Sequence, residues 1–236
     1  MGELIFAEAR REVTHFENTV SVIDGLSRSE IGYLRLAVTP SVANAILPKI
    51  IQKFVQKHPK IQIDIRDMDS VAIADELKRE RVDIGIGTLP ELDGMNRTKL
   101  FSDPFGVVCR TDHPLAQDWD RLTWRTMKDY VLIANGLCDQ INDPDFSTVH
   151  AKSRLQVHNT TSLLGLVREG VGITVLPQLA VTELQDDIVF LPLADITARR
   201  TVHIVSQPMN LLMPAAREFF QLIVAMSADG ALALDP

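Results

Sequence analysis

Residues 34–48 read LRLAVTPSVANAILP: an apolar run, then a hydroxyl, a proline and a second hydroxyl, then apolar residues at helical spacing. The run LRLAV predicts a buried strand. Val42, Ile46, Ile50, Phe54 and Val55 predict the apolar face of the following helix, with Pro48 kinking or restarting it. Thr39-Pro40-Ser41 therefore stands where a strand hands over to a helix. Ser and Thr are preferred N-caps and Pro suits the first helical position, so capping is the plain reading of this tripeptide. The second reading is that the hydroxyls face a ligand, because open α/β sheets bind ligands beyond the carboxyl ends of their strands.

Outward from this junction, strands and helices alternate. IQIDI (61–65) is a period-two strand, VAIADELKRERV (71–82) a helix and VDIGIG (82–87) an apolar strand. DPFGVVC (103–109) is a strand ended by the TDHP turn, LTWRTMKDY (122–130) a weaker helix and VLIA (131–134) a strand. Residues 139–151 are polar and read as irregular. SRLQVH (153–158), ITVLP (173–177), IVFLPL (188–193) and RTVHIVS (200–206) are strands; helices fall at 162–168, PQLAVTEL (177–184) and PAAREFFQLIVAM (214–226). This cadence argues an α/β fold with largely parallel sheets. Ahead of it, Phe6, Ala9, Val13, Phe16, Val20 and Ile23 form an a/d seam less than three heptads long. That seam fits either a dimerising helix or one packed on its own domain, and Gly25 with SRSEIG reads as its end and a linker.

The Thr39–Ser41 arrangement recurs. Small polar residues follow apolar strands at Asp69-Ser70, at Gly87-Thr88 and at Asn159-Thr160-Thr161-Ser162. Hydroxyls both donate and accept, which suits a carboxylate that must be held and released. Each instance is also an ordinary cap, and every βα unit needs one. On spacing alone the chain is an α/β protein with a possible ligand cleft.

Composition excludes several other classes. With 46% hydrophobic and 23% charged residues the 236-residue chain is an ordinary globular protein. A net charge of −7 gives no basic footprint for nucleic acid. No apolar stretch is long enough to span a membrane, and MGELIFAEAR is too acidic for a signal peptide, so a cytoplasmic location is expected. GxSxG, GxxxxGK[ST], a complete GxGxxG and HExxH are all absent. The six histidines and two cysteines show no ligand spacing, so no catalytic residue, metal or cofactor is expected. His113 reads as a turn residue. Cys109 reads as a buried thiol and Cys138 as a loop thiol, for which a redox role stays open.

Five segments together resemble the effector-binding region of LysR-type transcriptional regulators, over nearly the whole chain. GYLRLAV followed by Thr39, and LPKIIQKFVQKHPKIQIDI, are similar to the start of that region. ELKRERVDIGIG is similar to its third segment, with Arg81 where glycine is usual. FSDPFGVVCRTDHPLA and LVREGVGITVLPQLA are similar to its fourth and fifth.

The resemblance implies two Rossmann-like lobes of the type 2 periplasmic-binding-protein kind with a small-molecule effector between them. It assigns residues 1–30 to a partial, dimerising linker helix, 31–106 with 204–236 to lobe I, and 107–203 to lobe II. The chain crossings are expected near Pro104–Cys109 and Arg200–Val205. Effector contacts carry over to Thr39, Ser41, Val42, Ser70 and Thr88 from lobe I, and to Asn135, Gly136, Asn159, Thr160 and Thr161 from lobe II. A homodimer or homotetramer is implied, with DNA read only by a winged helix-turn-helix expected to precede Met1. Two rivals share the scaffold: a transporter's periplasmic solute-binding protein, and an enzyme, for which no activated nucleophile or acid/base pair stands out.

Overall fold

The computed structural model describes residues 10–11, 13–16, 32–117, 122–182, 186–193 and 198–232. Most of the expected linker helix lies outside the described residues. Residues 10–11 and 13–16 are helical, and the seam positions Val13 and Phe16 are 56% and 69% exposed.

The first lobe grows from β1 (Tyr33–Val38). Its alternate residues Leu34, Leu36 and Val38 enter one core cluster while Ala37 enters the cluster on the opposite face. β1 pairs in parallel with β2 (Gln62–Asp67) on one side and β3 (Ile84–Gly87) on the other. The helix expected after β1 is two: α1 (Pro40–Ala45) and α2 (Leu47–Lys57), broken at Ile46. Pro48 sits in the first turn of α2, where a missing N–H costs nothing. Ile50 and Phe54 of α2 pack into the core together with Phe219 and Ile223 of α6 (Pro214–Ala228). On the opposite face, α3 (Ser70–Lys78) buries Ile73, Ala74 and Leu77 against Ala37. Burying one such side chain contributes about 1.5–3 kcal/mol.

Two strands join the lobes. β4 (Asn96–Arg110) is 15 residues long. Its first part, Asn96–Pro104, pairs with β9 (Arg199–Ser206), and Gly106–Arg110 pairs with β7 (Thr174–Pro177) and β8 (Ile188–Pro192) in the second lobe. β5 (Ile133–Ala134) and β6 (Leu155–Gln156) pair in parallel, and Leu132 bridges to Ile173 beside β7. Helices α4 (Pro144–His150) and α5 (Thr160–Arg168) complete this lobe.

Three expectations change. The sheets are mixed, because β9 returns from the second lobe and so runs antiparallel to β3 and β4. Residues 199–203, expected in lobe II, pair with 99–104 of β4, and Val202 packs in the first core. All of β9 thus pairs with β3 and the first part of β4, and just ahead of it Phe105 N donates to Ala198 O. The stretch 139–151, read as irregular, contains α4, capped by Asp143 with Pro144 in its first turn. Both start signals were present, but no apolar stripe of useful length follows them.

At the first crossing the chain needs a residue without a side chain. A Cβ on Gly106 would lie 2.6 Å from the Leu191 carbonyl oxygen and would overlap the Phe190 ring. Gly106→Ala is expected to lower stability by about 1–3 kcal/mol through overpacking against a backbone that cannot give way. Urea unfolding followed by circular dichroism measures this; an unchanged midpoint would refute the crowding.

Candidate effector site

The carboxyl ends of β2, β1 and β3 lie side by side in that order, and each is followed by one of the expected hydroxyls. Thr39 occupies the N-cap position of α1, with its backbone carbonyl accepting from Ala43 N, yet its side chain makes no capping hydrogen bond. Thr39 is 4% exposed, and its Oγ1 has no protein partner among the described residues. The capping reading therefore holds for the backbone and fails for the hydroxyl. Gly87 creates the space for that side chain, since a Cβ there would lie 2.6 Å from Thr39 Cγ2.

Ser70 and Thr88 repeat the pattern. Capping of α3 is done by Asp69, whose carboxylate accepts from Val71 N and Ala72 N. Ser70 Oγ and Thr88 Oγ1 are buried and, like Thr39 Oγ1, have no hydrogen-bond partner among the described residues. A buried polar group left unsatisfied costs about 1–3 kcal/mol. Three of them at the ends of adjacent strands leave this edge of the first lobe with unused hydrogen-bonding capacity.

Ser41, the second residue of α1, differs: it is 7% exposed and accepts a hydrogen bond of 2.8 Å from Arg200 Nη2. Arg200 in turn donates to Asp103 Oδ2 from Nη2 (2.7 Å) and Nε (2.9 Å). Asp103 Oδ1 accepts from Leu179 N, in the turn after β7. Burial pushes the Asp103 carboxyl above its ordinary value, against the pull of Arg200. It pushes Arg200 below its own, against the pull of Asp103. Sequence reading missed both residues. They sit 97 positions apart, and only the β4–β9 register, with Asp103 opposite Arg200, brings them together.

The remaining expected residues divide. Val42 is fully buried in the first core, so its side chain is not offered to a ligand. Asn135 is also buried: its Nδ2 donates to Thr174 Oγ1 and Val175 O, and its Oδ1 accepts from Leu137 N. That amide is committed to holding the turn after β5. Gly136 is exposed, with open space around it. Asn159 caps α5 by accepting from Ser162 N; Thr160 is half-buried and Thr161 exposed.

Elsewhere, a depression of about 250 Å³ on the second lobe is lined by Arg110, His113, Tyr130 and Val171, and by none of the expected site residues. Arg110 is already paired there with Asp112 at 2.7 Å. His113 is a turn residue, its Nδ1 accepting from Leu115 N. Both cysteine thiols are buried and pushed up to about 11 by that burial, which makes Cys138 a poor candidate for a redox sensor. Among the described residues no group of three His, Cys, Asp or Glu could hold a metal, and no helix is long and apolar enough to cross a membrane.

Two predictions follow from these side chains. Asp103→Ala should cost about 3–5 kcal/mol, because it strands a buried guanidinium; Asp103→Leu with Arg200→Met should recover most of that loss. Equal unfolding midpoints for the single and double variants would refute the coupling. The second concerns His203, which lies opposite Lys99 in the β4–β9 register and whose Nδ1 accepts from Arg97 Nη2 at 3.3 Å. Burial, with the Arg97 and Lys99 charges, holds this imidazole below its ordinary value, and burial does the same to His113. The unfolded chain then binds protons more tightly, so stability is complete above about pH 6.5 and is lost as pH falls through that value. His203→Gln should make the loss of stability between pH 7.5 and 5 shallower, His113 retaining the rest; an unchanged slope in urea unfolding would exclude His203 as a contributor.

Comparison with known proteins agrees with this architecture. The profile of the LysR substrate binding domain matches residues 27–228. The chain is 28% identical over 241 residues to the uncharacterized HTH-type transcriptional regulator YbhD of Escherichia coli K12, covering 97% of this chain and 74% of that protein. The regulatory domain of CcmR from Synechocystis PCC6803, solved in complex with 2-PG, superposes with a TM-score of 0.72 at 21% identity, over 83% of this chain and 97% of that one. The effector binding domain of BenM with benzoate gives 0.66 at 25% identity, over 87% and 96%. These matches converge with the two joined α/β lobes described above: the chain belongs to the LysR substrate-binding domain family and is the effector-sensing domain of a LysR-type transcriptional regulator.

Proposed function

We propose that the effector is a small carboxylate held at the carboxyl ends of β1, β2 and β3 by Thr39, Ser41, Ser70 and Thr88. The observation that carries this reading is the trio of buried hydroxyls without protein partners, Thr39 Oγ1, Ser70 Oγ and Thr88 Oγ1. Hydrogen bonds to a charged group contribute about 1.5–3 kcal/mol each, so a few of them support micromolar binding once association costs are deducted. Benzoate, the effector of the BenM domain, is a compound of this class. In the second lobe Gly136, Asn159, Thr160 and Thr161 are the candidates for closing over it. Asn135 contributes by fixing the turn, and Val42 only through its backbone.

Regulation requires the effector to bind one arrangement of the lobes more tightly than another, since equal binding shifts nothing. The crossings at residues 104–106 and 198–200 are where such a change would occur. Residues 1–30 would pass it to a partner copy in a homodimer or homotetramer. DNA contact would belong to a domain outside these residues, and the protein would work in the cytoplasm. A sensor returns its compound unchanged, and the names of the relatives favour that reading over an enzyme or a transporter's solute-binding protein.

A native-state ligand raises apparent stability by mass action, about 2.7 kcal/mol at a hundredfold excess over Kd. A melting screen against small carboxylates should therefore yield a stabilising compound. Thr39→Ala with Thr88→Ala should abolish its shift while leaving the unliganded melt within about 1 kcal/mol, because neither hydroxyl makes a hydrogen bond to a described residue that could be lost. A full shift in the double variant would remove these hydroxyls from the site.

A further inference from the structure

The lobes meet at more than the two strands that join them. Among the described residues between 107 and 197, Leu179 alone packs in the core of the first lobe, in the cluster that holds Val42 and Ile46 of α1 and Val202 of β9. Val181, two residues on, is buried in the second lobe with Val108, Leu163 and Leu176. In a 3₁₀ turn, with three residues per turn, positions two apart point in different directions. The turn Gln178–Val181 thereby puts one apolar side chain into each lobe.

Polar contacts hold the same turn from the first-lobe side. Its N-cap residue, Pro177, has no side-chain oxygen to offer the first N–H groups. Asp103 supplies that acceptor from β4, with Oδ1 accepting from Leu179 N at 3.1 Å. Its other oxygen accepts from Arg200 Nε and Nη2 at 2.9 and 2.7 Å, and Nη2 also donates to Ser41 Oγ in α1. α1 itself packs against the turn. With both oxygens engaged, the carboxylate cannot turn away without giving up Leu179 N or Arg200.

A link of two strands alone would leave the lobes free to bend where the strands pass between them. Any such bending has to move Leu179 relative to the first core, since its neighbour Val181 is fixed in the second. The lost burial and the lost cap fall on one arrangement of the lobes and not on the other, which is the condition for biasing an equilibrium between them. We infer that the turn Gln178–Val181 is a latch between the lobes: Leu179, capped by Asp103 and backed by Arg200, holds the second lobe in the arrangement described above, and a change of lobe relation requires its release. The latch does not depend on where the effector binds.

The test reads the separation of the lobes in the whole chain. Nitroxides are attached at two exposed positions, Glu91→Cys in the first lobe and Lys152→Cys in the second; both native thiols are buried and stay unlabelled. Electron–electron double resonance should then give one narrow distance. In Leu179→Ala the deleted atoms are buried only in the latched arrangement, so a second distance should gain about tenfold or more in population. Asp103→Leu with Arg200→Met keeps the space filled but removes the cap, and should populate the same second distance. Amide exchange at Leu36 in β1 and Val175 in β7 reports whether each lobe stays folded. A second distance with both amides still protected supports the latch. A single unchanged distance in the two folded variants overturns it, and so does a broad distribution before either is made. Loss of protection at Leu36 and Val175 together in both variants would make the turn part of one cooperative core and overturn it as well.

Discussion

The contact on which the rest of the molecule depends is the buried Arg200–Asp103 pair, placed where β9 and β4 run together between the lobes. Asp103 belongs to the strand that leaves the first lobe and Arg200 to the strand that returns. Through Leu179 N the carboxylate reaches the turn after β7, and through Ser41 the guanidinium reaches the start of α1. A buried pair of this kind adds little net stability compared with apolar residues of the same volume. Its effect here is geometric: it ties two crossings, one turn of the second lobe and one hydroxyl of the first into a single arrangement.

Around that pair the first lobe leaves its chemistry incomplete. The helix caps are supplied by neighbouring residues, as Asp69 does for α3, or are omitted, as at α1. The hydroxyls beside them are thereby spared from structural use. The second lobe shows the opposite economy: Asn135 and Asn159 spend their side chains on the turn after β5 and the cap of α5. The asymmetry suits the effector site proposed for the first lobe, with the second lobe's exposed Gly136 and Thr161 left to close over it.

Most elements were legible because their periodicity is local. LRLAV, IQIDI and DIGIG carry strand patterns that need no partner to be recognised, and Pro48 marked the restart of the helix. The hydroxyls at 39, 70 and 88 were legible by position, since a strand end in an α/β fold is where ligands gather. Whether each hydroxyl was a cap or a free group was not legible. Sequence cannot say that Asp69 will take the capping bonds and leave Ser70 idle. Val42 and Asn135 show the same limit from the other side: they lie in the right loops, and their side chains turn away into the core or into the turn itself.

By itself the sequence determined the order of the elements, the α/β class and the loops in which a site would be built, because these follow from hydrophobic period and turn chemistry within a few residues; the two lobes were implied by the resemblance to the LysR-type effector-binding region. Tertiary structure alone decided the direction of β9, its place between β3 and β4 and the pairing of Asp103 with Arg200. Those depend on strand register between segments 97 positions apart, and register is a property of the packed sheet rather than of either strand.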